Sequence, residues 1–250
     1  MIPTLVMSKL SVIFVLVGLA AGLTACDRPA KSSEVLPQSS RVSENPVEVP
    51  LLPVTIGDVW IYDVHLEIPE DVTSAGAAAV DENHQRVRTY LGKISPAEGL
   101  PAVDCFEVTA PAAPVEREFV EIHDDRILMR GSMIMRPETT RPMWLDPAVP
   151  FVVAGMKAGT ESPTLQTTGG ALLRKTQVIS REDIQVPAGD FPSIRLLTTG
   201  HDGELDLRRT IWFAPGVGIV REEKIRYRKG KVIFKETHEL TKFSRTQVGS

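Results

Sequence analysis

The chain has 250 residues, 42% of them hydrophobic, and a net charge of −4, which suits one globular domain of about 200 residues once a leader and a linker are set aside. With 28 basic against 32 acidic residues and no basic block, the composition excludes electrostatic binding to nucleic acid and electrostatic docking on anionic lipid.

The first element is an apolar run, LSVIFVLVGLAAGL at 10–23, preceded by Lys9 and followed by small residues that lead into Cys26. This is the three-part layout of a secretory signal, and it falls short of the roughly 20 apolar residues a membrane-spanning helix needs. Met7 is an alternative start that shortens the signal without moving its end. Leu23-Thr24-Ala25-Cys26 resembles the bacterial lipobox. The resemblance implies diacylglycerol on the Cys26 thiol, cleavage before Cys26 and acylation of the new amine, since two or more chains are needed for stable anchoring. Asp27 resembles the inner-membrane retention signal of enteric bacteria. The expected location is therefore the cell envelope, lipid-anchored and facing the periplasm, leaning to the inner membrane with the outer membrane as the other option.

Loss of Lys9 with the signal takes the net charge to −5. Once Cys26 is acylated only Cys105 remains, so no intramolecular disulfide can form. Cys105 alternates with Val103 in AVDCFEV and reads as a small buried apolar residue. No adjacent His or second Cys supports a reactive thiol.

Residues 26–53 are the acylated cysteine and a Pro-rich, polar stretch with no apolar period, expected to be a flexible tether. A β-rich domain then fills 54–245. WIYDVHLE at 60–67 sets Trp60, Tyr62, Val64 and Leu66 on one face against Ile61, Asp63, His65 and Glu67 on the other. Period-2 runs recur at 103–108, 119–123, 194–198, 207–213, 219–227 and 232–240, and each predicts a strand with one buried and one wet face. Between them stand turn residues, among them Gly99, Pro187-Ala188-Gly189, Gly203, Pro215-Gly216 and Gly230. The expected fold is all-β: an antiparallel curved sheet or open half-barrel. Residues 74–80 read equally as helix or loop. The four prolines of RPETTRPMWLDPAVP at 136–150 exclude a regular central strand and predict a long connection between halves at about 54–135 and 158–245. Alternating charges at 221–235 read as a solvated outer face that discourages edge pairing.

The halves share three short matches at one offset of 91 positions. Leu100-Pro101-Ala102-Val103 matches Phe191-Pro192-Ser193-Ile194, Val120-Glu121-Ile122 matches Ile211-Trp212-Phe213, and Leu128-Met129-Arg130 matches Ile219-Val220-Arg221. A repeated strand-turn-strand unit gives such matches, and so does chance among β sequences.

IGDVWIY at 56–62, VPAGDF at 186–191 and WFAPGVGIV at 212–220 together resemble a broad set of uncharacterised bacterial lipoproteins and periplasmic proteins. These share a GxxWxY opening, a VPAGxF turn and a WxAPGVG hairpin. The resemblance spans roughly 52–223, and no catalytic residue is attached to these motifs. Some relatives resemble the lipoprotein-carrier superfamily, whose curved sheet holds an apolar ligand under a lid; no lid helix is evident here. Read from the residues, the motifs are turn and core: Pro215 presets φ and Gly216 supplies the positive φ of a type II turn. Trp60, Tyr62 and Trp212 read as core aromatics, and Trp144 as the exposed one.

His65, His84, His123, His201 and His238 form no HxH, HExxH or other metal-ligating spacing, and no cofactor is expected. His123-Asp124-Asp125 and His201-Asp202-Gly203-Glu204 read as hairpin tips. GxSxG, Ser-x-x-Lys, Walker and GxGxxG motifs are absent, and Glu222 and Glu223 point to opposite faces of a strand. The expectation is a non-catalytic protein. It binds a hydrophobic or amphiphilic ligand in an apolar cavity on the concave face, or it is an interaction subunit of an envelope complex with an exposed apolar patch. A hydrolase would need a histidine and carboxylates clustered in a cleft.

Overall fold

The computed structural model describes residues 50–69, 80–136, 142–162 and 174–247. The signal sequence, Cys26, Asp27, the tether as far as residue 49 and the SAGAAA stretch lie outside them.

The described residues form eleven strands and no helix: β1 (Val59–Ile68), β2 (Val80–Ile94), β3 (Val103–Thr109), β4 (Glu116–Ile122), β5 (Arg126–Ile134), β6 (Met143–Val153), β7 (Arg174–Val186), β8 (Gly189–Asp202), β9 (Leu205–Ala214), β10 (Gly218–Arg228) and β11 (Lys231–Ser244). They make a single sheet of order β6-β5-β4-β3-β2-β1-β11-β10-β9-β8-β7, curled into an open half-barrel. Each strand pairs antiparallel with its successor, apart from the crossing from β6 to β7, and β1 pairs with β11 at the middle. The expected all-β, antiparallel, curved sheet is what the chain forms.

Alternation decides which side chains face the inside of the curl. Trp60, Tyr62 and Val64 of β1 are buried while Asp63 is exposed. Pairing carries that face across the sheet, because directly opposed residues of antiparallel strands share a side. Trp60 stands opposite Arg88 and Phe243, and Tyr62 opposite Arg86 and Leu240.

One end of the curl is filled with apolar side chains and strapped shut. Trp60, Phe106, Val120, Ile127, Val152, Val178, Ile194, Leu196, Ile211, Phe213, Val220 and Leu240 form the core there. All three motifs that carry the family resemblance meet at this end. Trp60 Nε1 donates to the Val217 carbonyl (2.7 Å) and Tyr62 Oη to that of Ile219 (2.9 Å), tying the GxxWxY opening to the APGVG hairpin. The Ala188 amide of VPAG donates to Leu240 O (2.9 Å). Asp58 accepts from the amides of Thr55 (2.9 Å) and Thr246 (2.7 Å), joining the two ends of the domain. Val217 N reaches Ala214 O at 3.1 Å and Gly216 has φ of 83°, the type II turn expected of Pro215-Gly216.

Several expectations need correction. The tether reading ran to Pro53, but Leu51 and Leu52 are buried in the core. Leu51 bridges two hairpin tips, donating to Asp124 O (3.1 Å) and accepting from Gly216 N (2.9 Å). Residues 143–153, read as part of a connection, are strand β6. Its prolines are tolerated because β6 is an outer strand of the sheet, where one side needs no ladder donors. The other outer strand, β7, is covered in part by residues 159–162, whose backbone pairs with Thr176 and Val178. Trp144 is half-buried, packed with Cys105, Phe119 and Met133 in a second cluster. Cys105 is fully buried there as expected, and burial pushes its thiol up to about 11.

Of the three matches at offset 91, the first runs into β3 at Val103 and lies within β8, and the others fall on β4 and β9 and on β5 and β10, successive strands in the same order.

Candidate functional site

Above the apolar end, the inward face changes chemistry. The sheet continues past Trp60, Phe106 and Ile211, and beside Tyr62 of β1 and Val108 of β3 its next inward residues are charged: Arg88 and Arg86 on β2, Glu118 and Glu116 on β4, Arg209 on β9, Glu222 and Lys224 on β10, His238 and Glu236 on β11. Pairing sets them side by side, with Glu222 opposite His238 and Lys224 opposite both Glu236 and Arg209. The stretch 221–235, expected to be a solvated outer face that discourages edge pairing, lies on β10 and β11, inside the sheet. On β10, Glu222 and Lys224 face inward and Glu223 faces out.

These charges neutralise one another as a belt. Arg88 reaches Glu118 at 2.9 Å and lies 3.6 Å above the Phe106 ring, at the boundary with the core. Arg86 bridges Glu116 (3.3 Å) and Glu236 (3.9 Å), and Lys224 bridges Glu236 (3.0 Å) and Glu222 (3.7 Å). Arg209 makes a short contact with Glu222, and His238 sits between Glu222 (3.5 Å) and Glu236, the latter also a short contact. Burial alone would raise the carboxyl groups. The cations outweigh it for three of them: Arg209, Lys224 and His238 hold Glu222 well below the usual carboxylate range, Arg88 and Arg86 hold Glu118 down, and His238 and Lys224 bring Glu236 to about 2. Glu116 goes the other way, raised by burial and by Glu118. His238 is lowered by burial despite its acidic neighbours.

Beyond the belt the curl opens into a cavity of about 450 Å³. One wall is apolar, from Met129, Met143, Leu145, Val149, Pro150 and Phe151 of β5 and β6 with Leu207 and Phe234 opposite. The other carries the belt residues other than Arg88 and His238, and the hydroxyls of Thr176 and Thr198, 2.8 Å apart. Met143 of the apolar wall is half-exposed. The expected wholly apolar cavity is thus an amphiphilic one. Its volume lies within the range of roughly 300–1,000 Å³ typical of small-molecule sites.

The five histidines separate in space. His65 bonds Asn83 on the exposed face, His123 and His201 lie at exposed hairpin tips, and His84 lies opposite Val64. His65, His123 and His201 each meet a carboxylate at the surface, and His238 alone of the five is buried between two. Its ring nitrogens face Glu222 and Glu236, and no serine, threonine or cysteine among the described residues hydrogen-bonds it. No group of three or more His, Cys, Asp and Glu suited to a metal ion occurs among the described residues. Cys26, the lipidation candidate, lies outside them.

Sequence reasoning missed the belt because its members are far apart in the chain, Arg86 being 150 positions from Glu236. The available signal was the charge alternation of β2 and β10, which fits an inward charged face as well as an outward one.

No protein-family model matches the chain, and no curated protein matches it. Two solved structures are similar in outline. One is described as a candidate exported protein with a YmcC-like fold from Bacteroides fragilis, 14% identical over 79% of this chain and 100% of that one, with a TM-score of 0.45. The other is described as a candidate lipoprotein from Parabacteroides distasonis, 12% identical over 78% of this chain and 99% of that one, with a TM-score of 0.40.

Proposed function

We infer that this is a lipid-anchored protein of the bacterial cell envelope that binds an amphiphilic molecule in the open end of its curled sheet and acts by binding, without catalysis. The observation that carries the reading is the cavity of about 450 Å³ with one apolar and one charged wall. Natural cores leave few voids beyond the size of a water molecule, and a space of this volume beside a fully packed core has a use other than packing. Its two walls suit a molecule with an apolar body and a polar end. Some relatives of the proteins that share the three motifs resemble the lipoprotein-carrier superfamily, which is in keeping with this reading, but this chain has no evident lid helix and its belt makes the interior more polar than a purely apolar ligand requires.

Native mass spectrometry with organic extraction tests it, on residues 27–250 secreted into a periplasm without the anchor. A stoichiometric amphiphile is expected, lost in Ser132→Trp, which places a bulky ring at the cavity wall while circular dichroism stays unchanged. A clean apo mass together with no uptake of added single-chain amphiphiles overturns the reading. Anchoring is tested apart: Cys26→Ser should abolish palmitate incorporation, and unchanged incorporation overturns the lipoprotein assignment.

A further inference from the structure

The cavity does not hold its charges evenly. The cations Arg86, Arg208, Arg209, Lys224 and Arg226 and four carboxylates line it, with Arg88 just beneath. Every carboxylate is already within salt-bridge distance of a cation: Glu116 with Arg86, Glu118 with Arg88, Glu222 with Arg209, and Glu236 with Lys224. Arg208 also lines the cavity without such a partner, but register sets it opposite Ile225, on the face away from Arg209 and Lys224; on the inward face, Arg226 has no such partner among the described residues. Its place is fixed by register, opposite the cavity residues Leu207 on β9 and Phe234 on β11, and its guanidinium lies 4.9 Å from the Phe234 ring centroid. Asp206, across from Tyr227 on β9, is held by His201 at 2.5 Å. The hairpin that carries Arg226 reads KIRYRKGK from 224 to 231, without one acid.

Resting on the amphiphile reading above, we propose that Arg226 receives the head of the ligand, and that the head is an anion, a carboxylate or a phosphate. A guanidinium presents paired donors that match either group in a bidentate fashion. Stacking on Phe234 keeps its plane oriented while its edge stays open. The belt beneath is closed to a charged head, since each of its ions is already matched and entry of another would break a pair. The ligand's apolar body then lies along Met129, Met143, Val149 and Phe151, with its charge at the mouth instead of at the floor.

Calorimetric titration of residues 27–250 with four probes of equal chain length, all below their micellar concentrations, tests the assignment. The probes are dodecanoate, dodecyl phosphate, dodecyl maltoside and dodecyltrimethylammonium. The wild-type protein is expected to bind one or both anionic probes about tenfold or more tightly than the maltoside, the effect of roughly one charge-assisted contact. Arg226→Gln should remove that preference with maltoside affinity unchanged, and Arg226→Glu should shift it to the ammonium probe, a gain that misfolding cannot imitate. Equal affinity of the wild type for anionic and maltoside probes, or an anionic preference that survives Arg226→Gln, overturns the role of Arg226 and leaves the amphiphile reading standing. Failure of all four probes to bind overturns both.

Discussion

Asp58 is a fully buried carboxylate whose two oxygens take the amides of Thr55 and Thr246, 188 positions apart in the second case. Asp58→Ala leaves both amides without an acceptor and should cost about 2 kcal/mol in urea unfolding, with Asp58→Asn closer to wild type. No loss in the alanine variant would mean that water replaces the carboxylate at no cost. Glu222 differs in kind, because it balances several cations at once. Glu222→Gln strands Arg209 beside Lys224, and since Arg209 keeps some access to water the expected loss is about 3 kcal/mol, the lower end for a broken buried pair. Arg209→Met combined with Glu222→Leu should recover most of it, and a double variant no better than the single one would show that the belt does not act through charge balance. Trp60, Tyr62 and Cys105 were legible as core from alternation alone. Glu222 was not, because its partners come from β9 and β11 and no local pattern announces a carboxylate that faces inward.

Among the elements, β6 depends on a close approach. Gly131 has φ of 145°, and a Cβ there would lie 1.8 Å from the Met143 carbonyl oxygen. Gly131→Ala must therefore separate β5 from β6 and should cost on the order of 3 kcal/mol, among the larger single-residue effects. Hydrogen exchange should show the loss as faster exchange confined to β5 and β6, with amphiphile uptake falling because Met143 and Val149 belong to the cavity wall. Uniform exchange across the sheet would show that β6 is not an independent wall. β1, with its apolar inward face, was readable in sequence, and so was β9, where Arg209 alone interrupts Leu207, Ile211 and Phe213. β2 was not, since its inward residues include Arg86 and Arg88 and its period therefore carries charge. β6 was hidden by its prolines, which exclude a central strand and say nothing against an outer one.

For the molecule as a whole, the belt sets the response to acid. His238 titrates below its ordinary 6.5 and Glu222 and Glu236 below their ordinary 4.5, so each binds protons less readily folded than unfolded. Such groups contribute their full stability above the unfolded values and lose it as pH falls through the folded ones. Stability should be level above about pH 6.5, decline below it as His238 is forced to charge, and fall more steeply from about 4.5 toward 2 as Glu222 and Glu236 take up protons, Glu116 opposing them in part. Denaturant midpoints across that range check the sign, and a maximum near pH 5 would contradict it. The curled sheet was legible from alternation and turns, whereas its closure was not, because it runs through Leu51, a residue in a stretch whose composition reads as linker. That strap also determines how the fold meets mechanical load. A pull arriving through the N-terminal segment reaches the domain at Leu51, which grips the β4–β5 and β9–β10 hairpin tips together, and next at β1, bonded along its length to β2 and β11. Tension therefore enters at the middle of the sheet and is shared between both halves, while the outer strands β6 and β7, the easiest to peel away, bear none of it directly.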